Sequence, residues 1–469
     1  MKSETHTSAD SNSIEEPNES TKQKRSIFLG LCIGNFLVLL DTSILNVALP
    51  DVQRTLSASN AQLPWAAVSY TIAFAGLLLA SGAFSDRFGA KRVYCSSLLG
   101  FAVASLLCAV SPTIIALISG RVLLGVTAAA MVPSSLALLA ALNPDPGSKA
   151  RAIGTWAALT SSGLLLGPVL GGMLVTIGGW RLIFMVNPPI AIIAFALTKG
   201  LVNARPPSVR PLDTPGIILS IVVLTSATYG LIDGGTTGWG RVGPWVALGI
   251  AMAAAILLAV VERQVAHPVL PLALVRRGDL SSSIFAASAA TLVFYGILYS
   301  LTLWMQEQQN LSPWQTGLSF IPMTLPMCFL PIYTGKLVAR FNARKVILVG
   351  LVCDVLAGVF LLGIGVTNSN AIVWIIAAEV ALVLASTTVI PAATAFVSIR
   401  ATPDIAGAAQ GTLNAGRQAG SALGVAILGP LTSLSTIGNV LTLIAVGTFV
   451  ITLICGKERL QKMEQKVSA

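Results

Sequence analysis

GAFSDRFGAKR, Gly82 to Arg92, comes back in altered form as GKLVARFNARK, Gly335 to Lys345. The copies share the first glycine, the Arg-Phe pair, an alanine and the closing basic pair. Each copy follows the second apolar run of a block of six. The chain therefore reads as two equivalent halves. Around these copies the sequence is 54% hydrophobic and only 10% charged, where a soluble protein carries about 25% charged residues. Fourteen apolar runs lie between residues 27 and 455, each about as long as a hydrocarbon core is thick. In lipid such runs must be helices, because every backbone group has to find its partner internally. The expected fold is an all-α membrane protein of fourteen spans, two six-helix halves with two further helices inserted between them.

The boundaries follow from composition. Residues 1–25 are polar and read as a disordered tail. A six-helix block covers 26–204, linkers and the two inserted spans cover 205–280, and a second six-helix block covers 281–456. Residues 457–469 form a second tail. The stretches Arg205 to Asp213 and Val261 to Asp279 that bound the insert are rich in proline and basic residues.

The net charge of +10 could point to nucleic acid, but its distribution points elsewhere. Of 29 Lys and Arg, 24 fall on one side if the N-terminus is cytoplasmic. Only Arg54, Arg181 and Arg241 fall on the other, and Arg121 and Arg417 lie inside runs. That asymmetry is the positive-inside bias. It places both termini in the cytoplasm and predicts a multi-pass protein of the cytoplasmic membrane with no nucleic-acid partner. The six cysteines are scattered without a CxxC pair, and His6 and His267, the only histidines, lie outside the runs. No metal site and no cofactor are expected. No GxxxxGK[ST] string is present, so ATP is not the expected energy source.

Several residues sit where lipid should be. Asp41, in LVLLDTSILNVALP (Leu37 to Pro50), lies inside the first run. A charge there costs about 2.5–3.5 kcal/mol on insertion scales, a cost that taking up a proton removes. Asp41 is thus a carrier of a proton or a carboxylate fixed by Thr42 or Ser43. Arg121, at similar depth in the fourth run, stays charged in essentially any site. It is the natural partner of Asp41, as a switch or in a static pair. Asp86 is an acid in a basic loop at a helix end, beside Arg87, Gly89, Lys91 and Arg92. The second copy has Ala339 and Asn342 where the first has Asp86 and Gly89. Gly163, Gly167, Pro168, Gly171 and Gly172 put small residues and a bend in the fifth run. Asp354, Glu379, Asn414, Arg417 and Gln418 are polar residues in runs of the second half, and Tyr70 is an aromatic set deeper than the interface. Trp65, Trp304 and Trp314 read as interfacial anchors.

The motif order resembles the major facilitator superfamily, in its fourteen-helix drug:proton antiporter branch. Gly82 to Arg92 resembles its loop between helices 2 and 3, and LDTSILNVALP its helix 1 motif. GRVLLGVTAAA (Gly120 to Ala130) resembles its arginine-centred helix 4 motif, and GLLLGPVLGG (Gly163 to Gly172) its antiporter motif. GWRLIFMVNPP (Gly179 to Pro189) and GTLNAGRQAGSALGVAILG (Gly411 to Gly429) resemble further stretches of the branch. One departure is Leu124, where the family often has Gln.

The resemblance implies proton coupling at Asp41 and Arg121. It implies a gate built from Gly82, Asp86, Arg87, Gly89, Lys91 and Arg92. It also implies a helix characteristic of exporters at Gly163 to Gly172. Tyr70, Asp354, Glu379, Asn414, Arg417 and Gln418 are the candidates for substrate or coupling roles. The function expected is proton-driven antiport that exports small hydrophobic or cationic molecules, such as drugs, antiseptics and antibiotics. Transport of one endogenous metabolite, by symport or export, is the alternative. An enzyme is not expected, since no histidine lies in a run to form a catalytic pair. The partners expected are a small-molecule substrate, protons and the lipid bilayer, with the chain acting as a monomer.

Overall fold

The computed structural model describes residues 19–198, 200, 213–265, 278–366, 371–400 and 406–467. Among them there is no strand. The first block holds α1 (Glu19–Ile44), α2 (Leu63–Phe88), α3 (Ala90–Ala109), α4 (Ile114–Leu142), α5 (Pro146–Gly178) and α6 (Arg181–Leu197, interrupted at Val186). The inserted pair is α7 (Thr214–Thr237) and α8 (Val242–Val261). The second block holds α9 (Gly278–Leu303), α10 (Pro313–Cys328 and Leu330–Phe341, bent by 42° between them) and α11 (Ala343–Val366). It ends with α12 (Ala371–Arg400), α13 (Ala406–Leu428) and α14 (Leu434–Val467). Residues 1–18 lie outside the described residues, and the chain is already helical from Glu19.

Local sequence sets the helix starts. The Thr113 side chain accepts from the Ala116 N–H to cap α4, and Asp145 accepts from the Ser148 N–H to cap α5. Ser312 and Gln315 form a capping box at α10, with Pro313 in the first turn. The loop repeat is also a repeat of backbone conformation. Gly89 (φ 88°) ends α2, and Asn342 (φ 74°) ends α10 at the matching place.

Among the described residues ten helices are long and apolar enough to cross a membrane, or up to twelve if each of two bent pairs is one span. The bent pairs are α2, broken by 59° after Leu78, and α10. The expected count of fourteen is therefore met only in part. The α6 segment is short and broken around Val186, just before Asn187 and two prolines. The α13 helix carries Gln410, Asn414, Arg417 and Gln418, which lower its apolarity.

The blocks are knitted by glycine seams. On α5, a Cβ at Gly163 would meet the Phe36 carbonyl at 2.6 Å, and one at Gly171 the Ile44 carbonyl at 2.6 Å. Gly167 meets Ser43 between them, so α1 and α5 touch backbone to backbone. Gly416, Gly420 and Gly424 on α13 form the same ladder against Ser288 and Leu292 of α9. Each lies at the sequence offset that separates Gly82 from Gly335. Apolar residues fill the blocks, around Leu37, Phe101 and Leu124 in the first and Phe294, Ile347 and Leu382 in the second. Across their central windows α1 and α9 are 72% buried and α7 and α8 only 22%, which puts the inserted pair at the periphery.

The halves meet at the end opposite the basic loops. There Gly172 of α5 packs on Pro313, and Gly317 of α10 on Pro168. Gln306 Nε2 donates to the Val47 carbonyl at 2.8 Å across the same boundary. At the basic end, a Cβ on Gly154 of α5 or Gly335 of α10 would meet nothing within 4 Å.

Candidate functional site

Asp41 lies in the last turn of α1, fully buried. The neighbouring hydroxyls do not hold it. Thr42 Oγ1 donates to the Val38 carbonyl at 2.7 Å, and Ser43 Oγ to the Leu40 carbonyl at 3.3 Å. Arg121 of α4 does, through an ion pair between Nη1 and Asp41 Oδ2. The guanidinium is 1% exposed and is fixed on two more sides. Its Nε donates to the Ala66 carbonyl of α2 at 3.1 Å, and its Cζ stands 4.6 Å from the centre of the Tyr70 ring. Tyr70 in turn donates its hydroxyl to the Val38 carbonyl at 3.1 Å, which ties α2 to α1. The second carboxylate oxygen accepts from Asn187 Nδ2 at 3.3 Å, and Asn187 is positioned by a 3.1 Å bond to Ser105 Oγ.

This is a charge pair enclosed by α1, α2, α3, α4 and α6. Asn187 is the member that sequence reasoning missed. Its signal is a polar residue just before Pro188-Pro189 in an otherwise apolar stretch. Tyr70 belongs to this cluster, wholly buried against Arg121.

The second half is arranged differently. Glu379 of α12 is 1% exposed, and neither of its oxygens has a hydrogen-bond partner. Asp354 of α11 is equally buried, with Oδ1 unpartnered. Arg417 of α13 donates from Nη1 to Asn414 Oδ1 at 3.4 Å, and its Nε has no partner. Among the described residues no ion pair joins Arg417 to Glu379 or Asp354. Gln418 follows Arg417 on the same helix.

At the basic end, Asp86 and Arg87 are exposed in the last turn of α2, and Arg87 lies over the Phe88 ring at 5.6 Å. Asp86 has no ion-pair partner among the described residues. Gly89 closes the helix by donating its N–H to the Ser85 carbonyl at 2.9 Å, and Lys91 and Arg92 begin α3. A Cβ on Gly82 would meet nothing within 4 Å. Gly163, Gly167 and Gly171 form the α1 seam, while Pro168 and Gly172 face α10.

Two repeated helical blocks, joined at one end and carrying a buried charge pair inside the apolar zone, define a membrane transporter. The family model of the Major Facilitator Superfamily matches residues 31–425. The chain belongs to that superfamily. It is 34% identical over 429 residues to the methylenomycin A resistance protein of Bacillus subtilis, covering 91% of each chain. It is 35% identical over 408 residues to the multidrug resistance protein Stp of Mycobacterium tuberculosis, covering 85% of this chain and 74% of that one. The crystal structure of a mutant of the nucleoside transporter NupG superposes with a TM-score of 0.63 at 14% identity, covering 92% of this chain and 99% of that one. That last likeness concerns the fold alone.

Proposed function

We propose that the protein is a proton-coupled antiporter. It exports small hydrophobic or cationic molecules, drugs and antibiotics among them, across the cytoplasmic membrane by alternating access. The observation that carries this reading is the buried pair of Asp41 and Arg121 in the apolar zone. Breaking such a pair by removing one partner's charge costs about 3–5 kcal/mol. A proton on Asp41 cancels its attraction for Arg121 and lets the cluster around Tyr70 and Asn187 rearrange. Occupancy by a proton is thereby tied to the arrangement of α1, α2 and α4.

The basic loops support a cytoplasmic position for the open end of α5 and α10. In that arrangement Asp41 has given up its proton and is held by Arg121, and substrate enters from the cytoplasm. After the halves rock, substrate leaves outward and Asp41 takes a proton from outside. The neutral cluster then returns. One charge moved through 100 mV supplies about 2.3 kcal/mol. Asp86 and its basic neighbours close the cytoplasmic end in the other arrangement. The names of the relatives, resistance to methylenomycin A and to multiple drugs, support removal of toxic compounds as the task. Each chain contains both halves, so one copy completes the path.

The test uses inside-out vesicles with an imposed pH gradient. Asp41→Asn, a mimic of the protonated acid that cannot release its proton, is expected to abolish gradient-driven dye transport at normal membrane levels of protein. Wild-type transport by that variant would overturn the proposal.

A further inference from the structure

A cavity of about 460 Å³ lies away from the charged residues, among α2, α7, α8, α9 and α13. Ala75 and Gly76, Leu224, Phe285, Ala415 and Ala419 define its walls, and no charged residue among the described residues lines it. Its serine hydroxyls donate to their own helices: Ser220 to the Gly216 carbonyl, Ser281 to that of Gly278, and Ser288 to that of Ile284. What the walls offer is hydrocarbon.

The chamber is distinct from the candidate site. Ala75 and Gly76 follow Tyr70 by five and six residues, which at 3.6 residues per turn places them about 140–240° around α2. By the same count Ala415 and Ala419 lie far around α13 from Arg417. The chamber also has a depth. Ser281, Ser220 and Thr412 lie within the first two turns of α9, α7 and α13, all of which start at the basic end. The chamber is not sealed: its lining residue Phe285 is 45% exposed. Ile218 and Ile256, each two residues from the lining Ser220 and Leu258 and so about 160° around their helices from the chamber, are exposed on the far face of the inserted pair.

We infer that this chamber is a binding site for an acyl chain of a membrane phospholipid, drawn from the leaflet at the basic end, with the inserted pair forming its outer wall. A cavity of about 150 Å³ already takes a benzene-sized molecule, so this one has room for a long run of methylenes. Leaving lipid for an apolar wall brings no hydrophobic gain, since tails are as apolar as leucine. The gain is dispersion: an unfilled void deprives every lining atom of a neighbour. Inside a bilayer the molecule at hand to fill it is a lipid tail. The site rests on the shape of the chamber and does not depend on proton coupling.

The experiment reconstitutes the full chain in phosphatidylcholine and phosphatidylglycerol vesicles doped with a phospholipid carrying a diazirine in mid-chain. After irradiation, labelled residues are mapped by mass spectrometry. Labelling of the lining stretches of α2, α9 and α13 should exceed that of the outer face of α8 at Met252 and Ile256, which are exposed and, among the described residues, line no cavity. Ala419→Phe and, as a milder filler, Ala415→Leu should lower the lining label several-fold and leave the α8 label unchanged. The inference is overturned if lining and outer face label equally, or if both fillers leave the lining label intact. Displacement of the label by a transported apolar dye would assign the chamber to substrate and overturn it too.

Discussion

The α1–α5 joint of the first half and the α9–α13 joint of the second are the same piece of construction. Gly163, Gly167 and Gly171 are answered by Gly416, Gly420 and Gly424, each ladder pressed on a neighbouring backbone. The charges built onto those frames are not the same. Arg121 on α4 and Glu379 on α12 occupy matching places, each the same distance ahead of an internal proline, Pro133 and Pro391. Arg121 is held by Asp41, Ala66 and Tyr70. Glu379 has no hydrogen-bond partner at all among the described residues. A duplicated fold thus carries a completed polar cluster in one half and an incomplete one in the other. An unpaired buried charge is costly, and our reading is that substrate or a proton completes it.

The sharpest way to break this contrast is to unpair the first half. Arg121→Ala leaves Asp41 buried without its counter-charge and is expected to cost about 3–5 kcal/mol, seen as a lower melting temperature in detergent. The double variant Asp41→Asn with Arg121→Gln should recover most of that loss; no recovery means the two do not act as a unit. Glu379→Gln removes no partner, so melting should hold while efflux of cationic dyes falls about tenfold, or about 1.4 kcal/mol. Matched neutral substrates should be spared. Equal loss of both classes would end the idea that Glu379 selects for charge.

A smaller effect is expected at the gate. Asp86→Asn should slow turnover a few-fold and shift cysteine labelling between the two mouths, without weakening substrate binding. Unchanged labelling rejects the gate. Smallest of all is Asn342→Gly, which should leave melting nearly unchanged: glycine takes a positive φ without steric cost, which offsets loss of the bond that Asn342 Oδ1 accepts from the Arg344 N–H at 3.3 Å. A clear drop would show that the Asn342 side chain contributes to the turn in a way Gly89 cannot match.

Much of the frame was readable from residues. The loop copies announce the duplication because short turns after helices need particular residues, and Gly89 and Asn342 both adopt positive φ. Length and apolarity alone do not confirm the count of fourteen where polar residues or prolines interrupt a helix, as in α13 and α6. The glycine ladder of α13 is present in the sequence but becomes meaningful only once α9 lies against it. In the polar clusters, opposite charge at equal depth is legible for Asp41 and Arg121. The contribution of Asn187 is not, because it depends on how α6 packs beside α1 and α3. Nor is the isolation of Glu379 from Arg417, since their separation depends on the packing of the second block.

The seam between α1 and α5 has a mechanical consequence. Side chains between two helices act like a soft gasket: they change rotamer, and one helix can tilt while the other stays. At Gly163 and Gly171 there is no gasket, only backbone on backbone. The joint has no slack, so a displacement that begins at Asp41 near the end of α1 arrives undiminished at Gly172, where α5 bears on Pro313 of α10. The first half is then expected to move as one stiff lever, with Asp41 at the grip and its contact on the other half at the tip.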